Sequence, residues 1–178
     1  MRHVLGLVCG LLGCSMGMSQ TQPPTPSVPP NPPTAAAQAP IPYGAPLGLA
    51  DAKRAISAAE AEAIREGWPV AIAVVDPSGF LVAFARLDNT QLGSVEVAIE
   101  KARTSALYRR TTKEFEDRLV QGGANLKVLR LPGLPIEGGV PIVVDGKIVG
   151  AIGVSGVQSS QDAQVATAGM KALSSPVQ

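Results

Sequence analysis

Histidine and cysteine are nearly missing from this chain, and their positions are as informative as their scarcity. The single histidine, His3, and the two cysteines, Cys9 and Cys14, all lie within the segment MRHVLGLVCGLLGCS at the start. That segment reads as an export leader, so the working protein is expected to contain neither imidazole nor thiol. Histidine acid–base chemistry at neutral pH is then excluded, and so is a core stapled by disulfides. Carboxylates, hydroxyls, Lys, Arg, two tyrosines, a few methionines and backbone amides are left to do any chemistry. A membrane-spanning run is lacking too: the apolar stretch Val4–Gly13 is far short of the ~20 residues a helical span needs and suits a signal-peptide core.

Residues 1–19 are accordingly read as a signal peptide and the protein as extracytoplasmic, either periplasmic or secreted. Two forms of cleavage stay open. Leu11-Leu12-Gly13-Cys14 has the pattern of a bacterial lipobox, in which Cys14 would carry lipid and provide the one attachment to a membrane. Ordinary cleavage among the small residues between Gly13 and Ser19 is the alternative. Residues 20–46 contain ten of the sixteen prolines. Proline lacks the backbone donor and fixes φ, so this segment is expected to be an extended, disordered linker. The remainder, 47–178, has the size of one domain.

Excess charge of either sign is also lacking. The chain has 15 basic and 14 acidic side chains, and loss of Arg2 with the leader balances them. A neutral domain has no general attraction for nucleic acid or for an anionic membrane. No carboxylate cluster suggests a divalent-metal cage. The glycines Gly150, Gly153 and Gly156 are not a phosphate fingerprint, because no helix opens directly after them; bare backbone along a strand points to a closely packed neighbour.

Within the domain, Leu49–Glu66 has helical spacing of Leu49, Ala52, Ile56, Ala59 and Ala63, with Gly67 placed to cap it. PVAIAVV (69–75) is apolar on both alternating faces, as in a central strand. DPSG (76–79) is a turn, and FLVAFAR (80–86) completes a hairpin. A second helix is expected over Val95–Arg110, with Ser94 as N-cap and Val95, Ala98, Ile99, Ala102 and Ala106 inside. Thr111 and Glu114 match a capping box for a short third helix to Val120. Asn125–Leu131 reads as a strand or a loop edge. Asp145-Gly146 marks a second hairpin, and Ser159 with Asp162 opens a last helix. Hairpins with grouped helices indicate an α+β fold with an antiparallel sheet of about five strands.

The blocks VAIAVVDPSGFLVAFARLD, SVEVAIEKARTSALYRRTTKEFED and EGGVPIVVDGKIVGAIGVSG, with Asp162 beyond them, together resemble the GlcG/HbpS-like family over about 50–173. The resemblance implies a compact α/β sandwich of profilin-like type, assembly into a homo-oligomer, and haem as cofactor. It implies an exported haem-binding protein for haem capture, buffering or sensing; the family is also described as haem-degrading, but the lack of histidine counts against an enzyme. It specifies no signalling partner. One departure stands out: many members have D-x-x-G-H after the first strand, whereas Phe80 follows Gly79 here. The threonine of the family's K-A-R-T block is carried over to Thr104 as an iron ligand. Tyr108, four residues on, shares its helix face and is the better ligand chemically, with Met170 an outside choice.

Other candidate binding residues are Arg86, Lys101, Gly138, Gly139 and Pro141. The Gly138-Gly139-Val140-Pro141 turn either presents amides to an anion or merely positions the hairpin. Arg86 either clamps a ligand carboxylate or pairs with Asp88. Lys101, the K-A-R-T lysine, either meets a propionate or small acid or is a snorkelling helix lysine. Arg103, Arg109, Arg110 and Lys113 form a basic patch, read either as a solvated face or as a propionate or partner surface. Asp76 is either an acid–base group or a cap of its own turn. A second function stays open beside haem binding: a sensor or accessory module for a small carboxylate. A haem-degrading enzyme ranks last.

Overall fold

The computed structural model describes residues 39–174; the leader, Cys14 and most of the proline-rich segment lie outside them. The elements in chain order are α1 (Leu49–Glu66), β1 (Ala71–Val75), β2 (Leu81–Arg86), α2 (Ser94–Tyr108) and α3 (Lys113–Gln121). A 3-10 helix (Gly123–Arg130), β3 (Gly139–Val144), β4 (Lys147–Ser155) and α4 (Ser159–Ser174) complete them. The fold is α+β, with one antiparallel sheet in the order β2-β1-β4-β3.

Strand β1 is buried on both faces, and its alternation divides the interior. Ile72 and Val74 face α1 and α4, together with Ile142, Ile152, Val154 and Val165. Ala71, Ala73 and Val75 face α2, where Ala98, Ala102 and Ala106 meet them. The α2 side is lined almost wholly by alanine because the helix lies very close to the sheet. At Gly153 a Cβ would overlap the Ala98 carbonyl and the Ala102 amide, and at Gly139 it would overlap the Lys101 carbonyl. Of the three glycines noted in the sequence, Gly153 admits a helix, whereas Gly150 is crowded by Leu47 and the Val75 carbonyl and Gly156 by Pro69 and Val70.

Four strands form, against about five expected. Asn125–Leu131 is largely the 3-10 helix, in which local turns satisfy the backbone and only Val128 is buried. Gly122 and Gly123, both at positive φ, turn the chain into it. The Thr111–Glu114 box does not form as expected. Thr112 takes the N-cap position without capping, and its hydroxyl instead accepts the Gly139 amide at 2.8 Å. The expected helix over 49–66 forms, capped by Gly67 at φ 72°.

The boundary at 47 moves toward the N-terminus. Gly44 and Leu47 donate to Ile148 and Val149 of β4, Tyr43 forms a parallel bridge with Ile148, and Leu47 is buried. The Tyr43 hydroxyl donates to the Ala106 and Leu107 carbonyls at the C-terminus of α2, while Arg109 lies over its ring at 5.2 Å. The proline-rich character of 20–46 hid this segment, whose last residues carry the apolar and aromatic groups that dock.

Replacing Gly153 by valine should lower stability by about 1–3 kcal/mol through overpacking, read as a fall in Tm; an unchanged Tm would contradict the close seating of α2.

Candidate functional site

Helix α2 carries the candidate residues because its periodicity brings Lys101, Thr104 and Tyr108 into related directions. Thr104 is buried; its hydroxyl donates to the Glu100 carbonyl at 2.7 Å and accepts the Leu134 amide at 2.7 Å. The Tyr108 hydroxyl donates to the Pro132 carbonyl at 2.8 Å, and its ring meets Phe115 edge-on at 5.3 Å. Thr104 and Tyr108, with Phe115, Val128, Leu131 and Pro135, enclose a space of only about 10 Å³. A second hollow of about 80 Å³ adjoins Thr104, bounded by Glu100, Arg103 and Leu107. The loop Leu131–Pro135 closes both. Gly133 (φ 131°) permits this, since a Cβ there would lie 2.6 Å from the Thr104 hydroxyl oxygen.

Lys101 does not face a pocket. Its side chain is 2% exposed, and Nζ donates to Asp162 Oδ2 at 2.8 Å and to the Val154 carbonyl at 3.1 Å. The other Asp162 oxygen accepts the Val157 amide at 3.2 Å. Neither a propionate-binding Lys101 nor a snorkelling one is therefore observed, because the buried ammonium is already matched by a carboxylate. Asp162, read from sequence only as the opening of a helix, is its partner. Burial pushes the Asp162 carboxyl above the usual carboxylate range, against the opposing pull of Lys101.

For the Gly138-Gly139 turn, the structure agrees with the hairpin-positioning reading and not with the anion-binding one. The Gly138 carbonyl accepts the Val154 amide, and Gly139 exchanges hydrogen bonds with Thr112 through both its amide and its carbonyl. Gly138 (φ 126°) lies where a Cβ would be 2.8 Å from Lys101 Nζ. Gly138 makes room for the ion pair and Gly139 for the backbone of α2, and the Gly139 amide is taken by the Thr112 hydroxyl. Pro141 sits within β3, opposite Ala151.

Arg86 lies elsewhere, exposed at the end of β2 and lining a cleft with Trp68 and Asp88 that shares no residue with the Thr104–Tyr108 space. The expected Arg86–Asp88 ion pair is absent. The basic patch is largely engaged. Arg103 pairs with Glu100 and donates to the Gly79 carbonyl at 3.2 Å. Arg110 lies over Phe115 at 5.6 Å and 3.9 Å from Glu114, and Lys113 pairs with Asp117 at 2.7 Å. Asp76 caps its own turn by accepting the Ser78 and Phe80 amides. Met170 packs with the core on the α1–α4 face, away from Thr104. Of the seven candidates, the structure brings only Thr104 and Tyr108 to one pocket. Phe115 and the 131–135 loop were missed as its walls; the paired prolines Pro132 and Pro135 around Gly133 signal a fixed loop but not where it docks.

Removing Lys101 would leave the Asp162 carboxylate buried and uncompensated. Lys101→Met should cost about 3–5 kcal/mol at neutral pH. Asp162 then has a folded-state pKa still further above its unfolded value of 3.8, so its favourable contribution is complete below that value and is lost as pH rises through the folded one. The Tm deficit of Lys101→Met should accordingly shrink on acidification; a deficit independent of pH would contradict this pairing.

Comparison with known proteins agrees with this architecture. The family model for haem degrading protein HbpS-like matches residues 47–171. Protein GlcG of Escherichia coli strain K12 is 45% identical over 100 residues, covering 56% of this chain and 74% of that protein. The crystal structure of HbpS superposes with a TM-score of 0.68 at 33% identity, covering 75% of this chain and 94% of that one. That of the PduOC–haem complex gives 0.65 at 28% identity, covering 71% and 94%. A four-stranded antiparallel sheet between α1 and α4 on one face and α2 on the other, with this match across nearly the whole domain, makes the chain a member of the GlcG/HbpS-like family.

Proposed function

We propose that this protein binds haem outside the cytoplasm, for capture, buffering or sensing, and that Tyr108 and Thr104 supply the oxygen ligands. The observation that carries the reading is their joint restraint. Both hydroxyls lie on successive turns of α2, and a single loop, Leu131–Pro135, engages both. Release of that loop frees a phenol and an alcohol together and exposes an apolar wall of Phe115 and Val128. This donor set fits haem iron, for which a tyrosine oxygen is an established axial ligand whereas a neutral alcohol is weak. A bound haem would supply the redox-active iron; the chain's part is to present Tyr108, exclude water with the apolar wall and meet the propionates through Arg109 or Arg110, which line a separate hollow that also includes Tyr108. The PduOC–haem relative and the haem-degrading description of the matching family support the ligand class.

Export belongs to the same reading, supported by the leader and the proline-rich stretch after it, with a lipid anchor at Cys14 if cleavage is at the lipobox rather than among the small residues up to Ser19. Homo-oligomer formation belongs to it too: Leu126, Leu129, Leu131 and Ile136, in the 3-10 helix and the segment after it, expose apolar side chains. The name of the family model favours a second reading, haem degradation. Among the described residues no histidine is present to move protons, which ranks this reading below simple binding. Loss of the haem spectrum under reductant and oxygen, with a defined cleavage product, would revive it.

Haemin titration of the protein should give a saturable Soret shift at micromolar concentration. Tyr108→Phe, which keeps the ring against Phe115, should weaken binding at least about tenfold, or about 1.4 kcal/mol. A wild-type protein with no saturable shift would remove the haem reading, and an unaltered Tyr108→Phe would remove its ligand assignment.

A further inference from the structure

A cleft of about 570 Å³ lies where α1 passes into β1 and β2 ends, lined by Ile64, Trp68, Pro69, Arg86, Asp88 and Asn89. Its volume is within the range of small-molecule sites. Two features of its lining bear on what it could hold. Arg86 and Asp88 have opposite charges, stand two residues apart and line one cleft, yet they form no salt bridge with each other or with any other described residue. Arg54, Arg65, Arg103 and Lys113, by contrast, are all paired with near neighbours on their own helices. Asn89, at φ 63°, turns the chain just beyond the two charges. Beside them is an apolar wall of Trp68, Pro69 and the markedly exposed Ile64.

We propose that this cleft binds a free α-amino acid with an apolar side chain. The Arg86 guanidinium suits the α-carboxylate, since its planar fork matches two carboxylate oxygens. The Asp88 carboxylate suits the α-ammonium, and Trp68 with Ile64 receives the side chain. The pairing of charges selects the zwitterion. A simple carboxylate would meet Arg86 but also the like charge of Asp88, and a simple amine would meet Asp88 but be repelled by Arg86. The site shares no residue with the Thr104–Tyr108 pocket and does not depend on haem binding.

Trp68 is the only tryptophan of the chain, so its emission reports occupancy of the cleft. The full-length protein is titrated with L-leucine, L-methionine and L-phenylalanine. Isocaproate serves as leucine without its ammonium group, and isoamylamine as leucine without its carboxylate. At least one amino acid should produce a saturable change, with both leucine fragments at least about tenfold weaker than leucine. Arg86→Gln and Asp88→Asn, both at exposed positions and expected to keep the wild-type Tm, should each weaken the best amino acid at least about tenfold. No saturable change with any of the amino acids, a fragment as strong as leucine, or retained affinity in either variant would overturn the proposal. Haemin titration of the same variants should match wild type, which separates this site from the haem pocket.

Discussion

The buried ion pair between Lys101 and Asp162 fixes the geometry on which the rest of the molecule depends. It joins the middle of α2 to the first turn of α4 at the Val154 carbonyl of β4. Gly138 gives up its side chain beside the pair, and Gly139 gives up its own so that the start of β3 can lie against the α2 backbone. A pair this deeply buried adds little net stability, because desolvation offsets most of the Coulombic attraction. Its effect is on choice of structure: any seating of α2 shifted along the sheet would strand an ammonium or a carboxylate in the interior. The alanine stripe of α2 alone, smooth and repetitive, imposes no such register.

With α2 held in place, Thr104 and Tyr108 occupy fixed positions one and two turns beyond the pair. The opposite wall is of a different kind. Loop Leu131–Pro135 belongs to no strand and meets α2 through one hydrogen bond to each hydroxyl. Each such bond contributes only about 0.5–1.5 kcal/mol net, so the closure is weak compared with the sheet behind it. A rigid donor pair facing a lightly fastened cover is an arrangement suited to taking up a large flat ligand. On the proposed reading, the closed space of about 10 Å³ would be the resting condition of the pocket.

Much of this architecture was legible in the sequence because it follows local periodicity. The doubly apolar run at 69–75, the turn at 76–79, Asp145-Gly146 and the spacing along α1 each specify their element without knowledge of a partner. The GlcG/HbpS-like resemblance, carried by blocks in order, is upheld by the family match and the solved relatives. What escaped was non-local. Nothing near Lys101 announces a carboxylate 61 residues away, so its charge read as available for a ligand. Arg86 and Asp88, close enough in sequence to pair, form no salt bridge, so of the two readings of Arg86 the ion pair is the one not observed. Asn125–Leu131 has strand-like apolar content but only Val128 finds an interior to enter. Tyr43 was hidden inside a proline-rich run, although its hydroxyl and ring are the groups that bind the end of α2.

The central claim is that haem reaches Tyr108 and Thr104 only when the covering loop leaves them. Amide hydrogen exchange at Leu134, whose N–H is held by the Thr104 hydroxyl, measures this directly. As haemin saturates the protein, exchange at Leu134 should accelerate while the amides of β1 stay protected. A saturated Soret shift with Leu134 exchange unchanged or slowed would place haem elsewhere and contradict the account.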